Sequence, residues 1–147
     1  MAAMNAWLLD FGDSCRAAVG TRELLHLVDT PATIAVPCTP NYCRSVAFWQ
    51  DRLLPVMDIG ARLGAAPRSA PFLAVVGYQH RRGEYPQFGA LMLASPPQQL
   101  AVSDEQACAL PAEGSVWQEL AISCFEHQGA PIPVLQLSRI FTSAPRP

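Results

Sequence analysis

Cysteine and histidine are the side chains of this sequence whose spacing could support chemistry. Cys38-x4-Cys43 together with Cys124-x2-His127 supplies a Cys3His set, and tetrahedral zinc takes thiolate sulfur and imidazole nitrogen. Neither pair has the tight Cys-x2-Cys knuckle, Cys124 falls in an apolar run that reads as a strand, and His127 belongs to the turn after it. Cysteine is also a common small core hydrophobe. The expectation is therefore no metal and no cofactor. Nucleophilic hydrolysis would need Cys or Ser, a base and an orienting group converging in space. His26, His80 and His127 fall on a helix-like segment and two turns, and none is flanked by a nucleophile motif such as Gly-x-Ser-x-Gly. A small Cys/Ser hydrolase is thus the weaker, enzymatic reading. Asp10-Phe11-Gly12 spells the metal-binding triplet of protein kinases, but a kinase needs a paired Lys and a catalytic-loop Asp. This chain has ten Arg and no Lys, so the triplet reads as a hairpin turn. Nine glycines scattered singly make no phosphate cradle.

With catalysis set aside, architecture carries the signal. The segment 48–64, FWQDRLLPVMDIGARLG, returns in altered form at 125–141, FEHQGAPIPVLQLSRIF. Pro55-Val56-Met57-Asp58-Ile59 aligns with Pro133-Val134-Leu135-Gln136-Leu137 at an offset of 78 residues. Each copy reads as two short apolar strands joined by a polar turn, which is a hairpin signal. One β unit used twice, half a chain apart, implies a pseudo-symmetric all-β domain rather than a solenoid. The expectation is a single domain over 1–147 made of two pseudo-repeats, about 5–66 and 70–143.

The bulk properties agree. A chain of 147 residues is long enough to bury one core. Half its residues are hydrophobic and 15% are charged, so it is not disordered. A scattered net charge of −2 offers no footprint for nucleic acid or anionic membrane, and no apolar run has the roughly 18 residues of a membrane span. The start lacks the basic region of a signal peptide. Five cysteines, an odd number with no regular framework, read as free thiols, and the expected compartment is the cytoplasm.

Along the chain, 7–11 and 15–19 form a hairpin across Gly12-Asp13-Ser14. Thr21 to Val28 reads as a short helix with Thr21 as N-cap and Leu24, Leu25, Leu27 and Val28 at helical spacing, stopped by Pro31. The stretch 31–42, with three prolines, is a loop or edge segment. Residues 64–71 read as a linker, 72–78 and 88–93 as strands about the turn 80–84, 95–115 as a Pro-rich loop, and 142–147 as a frayed tail.

In this order the residues resemble the CheW family of chemotaxis coupling proteins over nearly the whole chain. The resemblance rests on Val36-Pro37-Cys38-Thr39-Pro40 leading into a hairpin, on Leu54-Pro55-Val56-Met57-Asp58-Ile59 followed by Arg62-Leu63-Gly64, on Gly89 opening the strand ALML, and on Val102-Ser103-Asp104-Glu105. It implies an all-β fold with one or two short helices, built as two packed SH3-like β-barrels. It also implies a cytoplasmic, non-enzymatic adaptor of bacterial signalling. Its partners would be the regulatory domain of a sensor histidine kinase and the helical tip of a methyl-accepting receptor, with no nucleic acid and no membrane insertion. The family turn Asn-apolar-Arg-Gly is replaced here: Gln50 stands at the Arg position and Asp51 at the turn Gly, with Arg52 nearby. Leu93 stands where an Asp would follow the Gly89 strand. Phe48 and Trp49 sit beside the altered turn, with Tyr42 upstream. Successive strand residues point to opposite faces, so Phe48 and Trp49 cannot both enter one core. The outward one either packs under the neighbouring barrel or anchors a partner. Tyr42, Phe48, Trp49, Gln50 and Arg52 are accordingly the expected protein-binding residues. The other reading is a diverged CheW-like interaction module that no longer engages a kinase.

Overall fold

Runs such as Phe72-Leu73-Ala74-Val75-Val76 and Gly89-Ala90-Leu91-Met92-Leu93 are apolar at every position, the pattern of strands covered on both faces. A computed structural model, which describes residues 4–29, 31–66, 70–110 and 116–142, shows how both faces come to be buried. Among the described residues, eleven strands form two sheets. The first comprises β1 (Met4–Gly12), β2 (Cys15–Gly20), β9 (Ser95–Val102), β10 (Ala121–His127) and β11 (Ala130–Leu135), in the order β10-β11-β2-β1-β9. The second comprises β3 (Leu24–Asp29), β4 (Thr33–Ala35), β5 (Ser45–Trp49), β6 (Arg52–Met57), β7 (Phe72–Tyr78) and β8 (Gln87–Leu93), in the order β3-β7-β8-β6-β5-β4.

Each sheet curls into a small barrel. In the second, the chain runs from β3 on to β4, which pairs with β5 through Thr33 and Ala47, Ile34 and Val46, and Ala35 and Ser45. In the first, the chain leaves β9 through a 3-10 turn, Asp104–Gln106, and Ala107 bridges Phe125 on β10. Ser103 and Gln106 form a reciprocal capping box around that turn.

Strand alternation sorts the apolar residues among three cores. Leu8 and Ala18 face into the first barrel with Phe125 and Ile132, while Leu73 and Ala90 face into the second with Ala47 and Val56. Their neighbours Leu9, Phe11, Val19, Ala74, Val76 and Leu91 point the other way into a shared core that packs the barrels together. The barrels also exchange chain: the β1–β2 hairpin joins β9–β11 in one, and the β7–β8 hairpin joins β3–β6 in the other.

The two expected hairpins are present, and they share a register. Val46 faces Pro55 on β5 and β6, and Cys124 faces Pro133 on β10 and β11. Both turns hold two residues with positive φ, Gln50 (48°) with Asp51 (62°) and Gln128 (52°) with Gly129 (77°), the pattern of a type I′ hairpin turn. Beyond each hairpin a short helix begins, α1 (Ile59–Arg62) and α3 (Leu137–Thr142). Asp58 N donates to Tyr42 O at 2.7 Å and Gln136 N to Leu120 O at 2.8 Å, so both units also enter their helices alike. Asp58 Oδ1 caps α1 by accepting from Ala61 N at 3.1 Å.

Two expectations need correction. Thr21 to Val28 is not a helix: 21–23 is a turn and 24–29 is β3, paired antiparallel with β7. A bulge between Leu24 and His26 inserts one residue, so Leu24 and Leu27 both face the shared core, and this 3-residue spacing imitates a helix. The Pro-rich stretch 95–102 is not a loop but β9, an edge strand beside β1. Its prolines, Pro96 and Pro97, lie where the register slips between Leu8 and Asp10, the places a sheet tolerates proline. Among the described residues the helices are three and all short, with α2 (Trp117–Leu120) preceding β10. The middle of the 64–71 linker, residues 67–69, and the tail beyond Thr142 lie outside the described residues.

Candidate functional site

The residues with catalytic-looking spacings are placed as follows. Asp10 lies near the end of β1: its Oδ1 accepts from Gly12 N at 2.8 Å and its Oδ2 from Ser95 Oγ at 3.1 Å. Cys38 and Cys43 precede β5 in one barrel while Cys124 lies on β10 in the other. Among the described residues, no group of three or more His, Cys, Asp or Glu is placed to hold a metal ion. His26 lies exposed on β3, His80 is exposed and set edge-on to Tyr78, and His127 ends β10.

What remains is surface. At the tip of the β5–β6 hairpin, Phe48 faces Leu53 and Trp49 faces Arg52. Phe48 is the outward aromatic, 65% exposed, with Leu53 58% exposed opposite it. Ile34, on β4 and facing Val46, joins the same side of the sheet at 52% exposure. A groove continues from Phe48 and Ile34 toward Ala47, Leu54, Leu73 and Ala90 of the barrel interior. Three large apolar side chains standing in water at neighbouring sheet positions cost hydration free energy, and such patches are where proteins meet partners.

Trp49 takes the other side. It is half-buried, its ring 5.9 Å from that of Phe88 on β8, and the Arg52 guanidinium lies over the same Phe88 ring at 4.5 Å. Trp49 and Arg52 thus clamp Phe88 and hold the hairpin tip against the barrel. Gln50 and Asp51 are exposed in the turn between them.

Tyr42 is not part of this group. It lies at the opposite end of the hairpin, where its carbonyl accepts from Asp58 N, and its ring carries the Arg62 guanidinium at 4.9 Å. Arg62 also pairs with Glu119 of α2 at 2.9 Å, an α1–α2 link near the junction of the barrels. An exposed pair of this kind is worth about 0–1 kcal/mol. The structure therefore gathers Phe48, Trp49, Gln50 and Arg52 at one tip and leaves Tyr42 at the junction. Leu53 and Ile34 complete the apolar patch and were missed from sequence, although the alternation that turns Phe48 outward also turns out its cross-strand neighbour Leu53.

No helix among the described residues is long and apolar enough to cross a membrane. No family profile matches the chain, and no curated protein matches its sequence. Among solved structures, the crystal structure of scaffolding protein TtCheW from Thermoanaerobacter tengcongensis is similar with a TM-score of 0.77. Identity is 12%, and the alignment covers 96% of this chain and 94% of that one. A likeness of that extent at so low an identity speaks to the backbone alone: the chain has a CheW-like fold of two packed SH3-like barrels.

Proposed function

We propose that the protein is a non-enzymatic signalling adaptor that couples a methyl-accepting chemoreceptor to a sensor histidine kinase in a chemotaxis-like or pilus-motility pathway. The observation that carries this reading is the end-to-end likeness to a scaffolding protein, with neither chain leaving a large segment unmatched. One barrel would dock on the kinase regulatory domain, and the receptor tip would lie against the molecule elsewhere. Function is then a coupling free energy between receptor state and kinase activity, with no bond made or broken. The pseudo-repeats, about 5–66 and 70–143, are taken as two copies of one unit that exchange their leading hairpins; the shared register of the closing hairpins supports this.

The contact is assigned to the hairpin tip, with Phe48 and Leu53 as apolar anchors and Gln50 exposed at the turn. A second reading has its own observation. The turn Arg and Gly of the resembled family are Gln50 and Asp51 here, and Arg52, the nearest cation, lies on Phe88. That arrangement favours a module whose partner is met through apolar rather than cationic contact, and that partner need not be a kinase. Pull-down with the purified regulatory domain of a kinase from the same genome, and separately with a receptor-tip peptide, tests both. Retention of either supports coupling. Retention of neither rejects it in favour of the diverged module.

A further inference from the structure

The seam that closes the first barrel carries two thiols. Cys108 Sγ and Cys124 Sγ lie 3.2 Å apart, Cys108 N donates to Cys124 O at 3.0 Å, and the adjacent Ala107 bridges Phe125. The two cysteines therefore face each other across an antiparallel pairing. Facing residues in such a pairing have Cα atoms about 4.5–5.5 Å apart, within the roughly 4.4–6.8 Å that a disulfide spans. At the corresponding seam of the second barrel the facing pair is Ile34 and Val46. That pair carries no sulfur, and its Ile34 stands half in water where Cys124 is buried, so facing thiols are particular to the first barrel. All five cysteines are free thiols in this structure.

We infer that Cys108 and Cys124 are a redox-active pair that closes to an intramolecular disulfide by exchange with a low-molecular-weight disulfide. The thiolate of Cys108, the more accessible of the two, attacks one sulfur of the small disulfide and expels a thiolate. Cys124 then gives up its proton, and its sulfur attacks Cys108 of the mixed disulfide, expelling the second thiolate. Two electrons pass from the cysteine pair to the small disulfide, and the two cysteine protons end on the two released thiols. Cys124 is 5% exposed, and burial together with the neighbouring Cys108 pushes its thiol up to about 12. In the dithiol form it is therefore held as the thiol and shielded from direct attack, and it loses its proton only in the second step, when it attacks Cys108 as the resolving partner. The product ties the segment after β9 to strand β10 and staples the barrel along its seam.

The test equilibrates the full chain with glutathione buffers of varied disulfide-to-thiol ratio, followed by acid quenching, alkylation and peptide mapping by mass spectrometry. The expected result is one internal bridge, Cys108 to Cys124, half-formed in folded protein at a glutathione disulfide level at least about tenfold lower than in urea-unfolded chain, because the fold pre-aligns the sulfurs. Cys124→Ala should stop the reaction at a glutathione adduct on Cys108. The wild-type mapping stands even where that variant does not fold. Bridging that joins other cysteines, or that is no easier in the folded protein than in urea, overturns the inference.

Discussion

Gly89 offers the sharpest test of how the two barrels are joined. A Cβ at this position on β8 would lie 2.4 Å from two ring carbons of Phe141 and 2.8 Å from a third. Phe141 belongs to α3, which follows the last strand of the other barrel, and its ring stacks on Tyr78 with centroids 5.6 Å apart and planes 10° from parallel. In Gly89→Ala the ring must leave. Losing the stack costs about 0.5–1.5 kcal/mol beyond its buried area, and forcing extra volume into a packed site costs about 1–3 kcal/mol. The smaller backbone entropy of the unfolded Ala chain returns about 0.4–1 kcal/mol. The net expectation is a loss of about 2 kcal/mol, read as a shift of the urea midpoint followed by tryptophan fluorescence. Phe141→Leu shortens the side chain that blocks the new methyl, so the same Gly89→Ala change should cost under about 1 kcal/mol in that background, a coupling typical of touching residues. A Gly89→Ala midpoint indistinguishable from wild type, or an equal cost in both backgrounds, would refute the packing described here.

Three further outcomes are expected. Trp49→Ala should lower unfolding stability by about 1–2 kcal/mol, because it removes the Trp49–Phe88 contact, while Phe48→Ala leaves stability within about 0.5 kcal/mol; equal effects in urea denaturation would contradict the assigned faces. Asp51→Gly should raise stability by roughly 0.5–1 kcal/mol in the same assay, since Asp51 sits at φ 62° and only glycine adopts that region freely; no gain would show that the turn is not strained. Glu23, half-buried and accepting from Gly20 N at 2.7 Å, has its carboxyl raised by burial. Its contribution is then fully present below the unfolded value of about 4.3 and lost as pH rises through the higher folded value, so Glu23→Gln should match wild type near pH 3 and exceed it at pH 7 in thermal unfolding. A gap that is constant with pH would show that Glu23 titrates normally.

How legible the molecule was in its sequence follows from the range of the interactions involved. The hairpins at 50–51 and 128–129 were readable because turn chemistry and apolar flanks are local. The strand 24–29 was not, since a bulge set by its partner β7 gave its apolar residues a helical spacing. The strand 95–102 was hidden because Pro96 and Pro97 read as breakers until β1 is seen to leave an edge for them. Alternation required Phe48 and Trp49 to part, but which one turns inward depends on Phe88, nearly forty residues away. The exchange of hairpins between barrels rests wholly on long-range pairing and left no local mark. The same holds for the meeting of Cys108 with Cys124, since Cys108 lay in what read as a loop.

The measurement closest to the central claim is calorimetric titration of the protein, and of Phe48→Ala, with the kinase regulatory domain. Loss of a desolvated aromatic anchor typically costs about 2 kcal/mol or more, which is roughly thirty-fold in affinity. A complex formed by the wild type and weakened at least that much in a Phe48→Ala protein of unchanged stability is the predicted result. Absence of any complex, or one as tight in Phe48→Ala as in the wild type, would contradict the account.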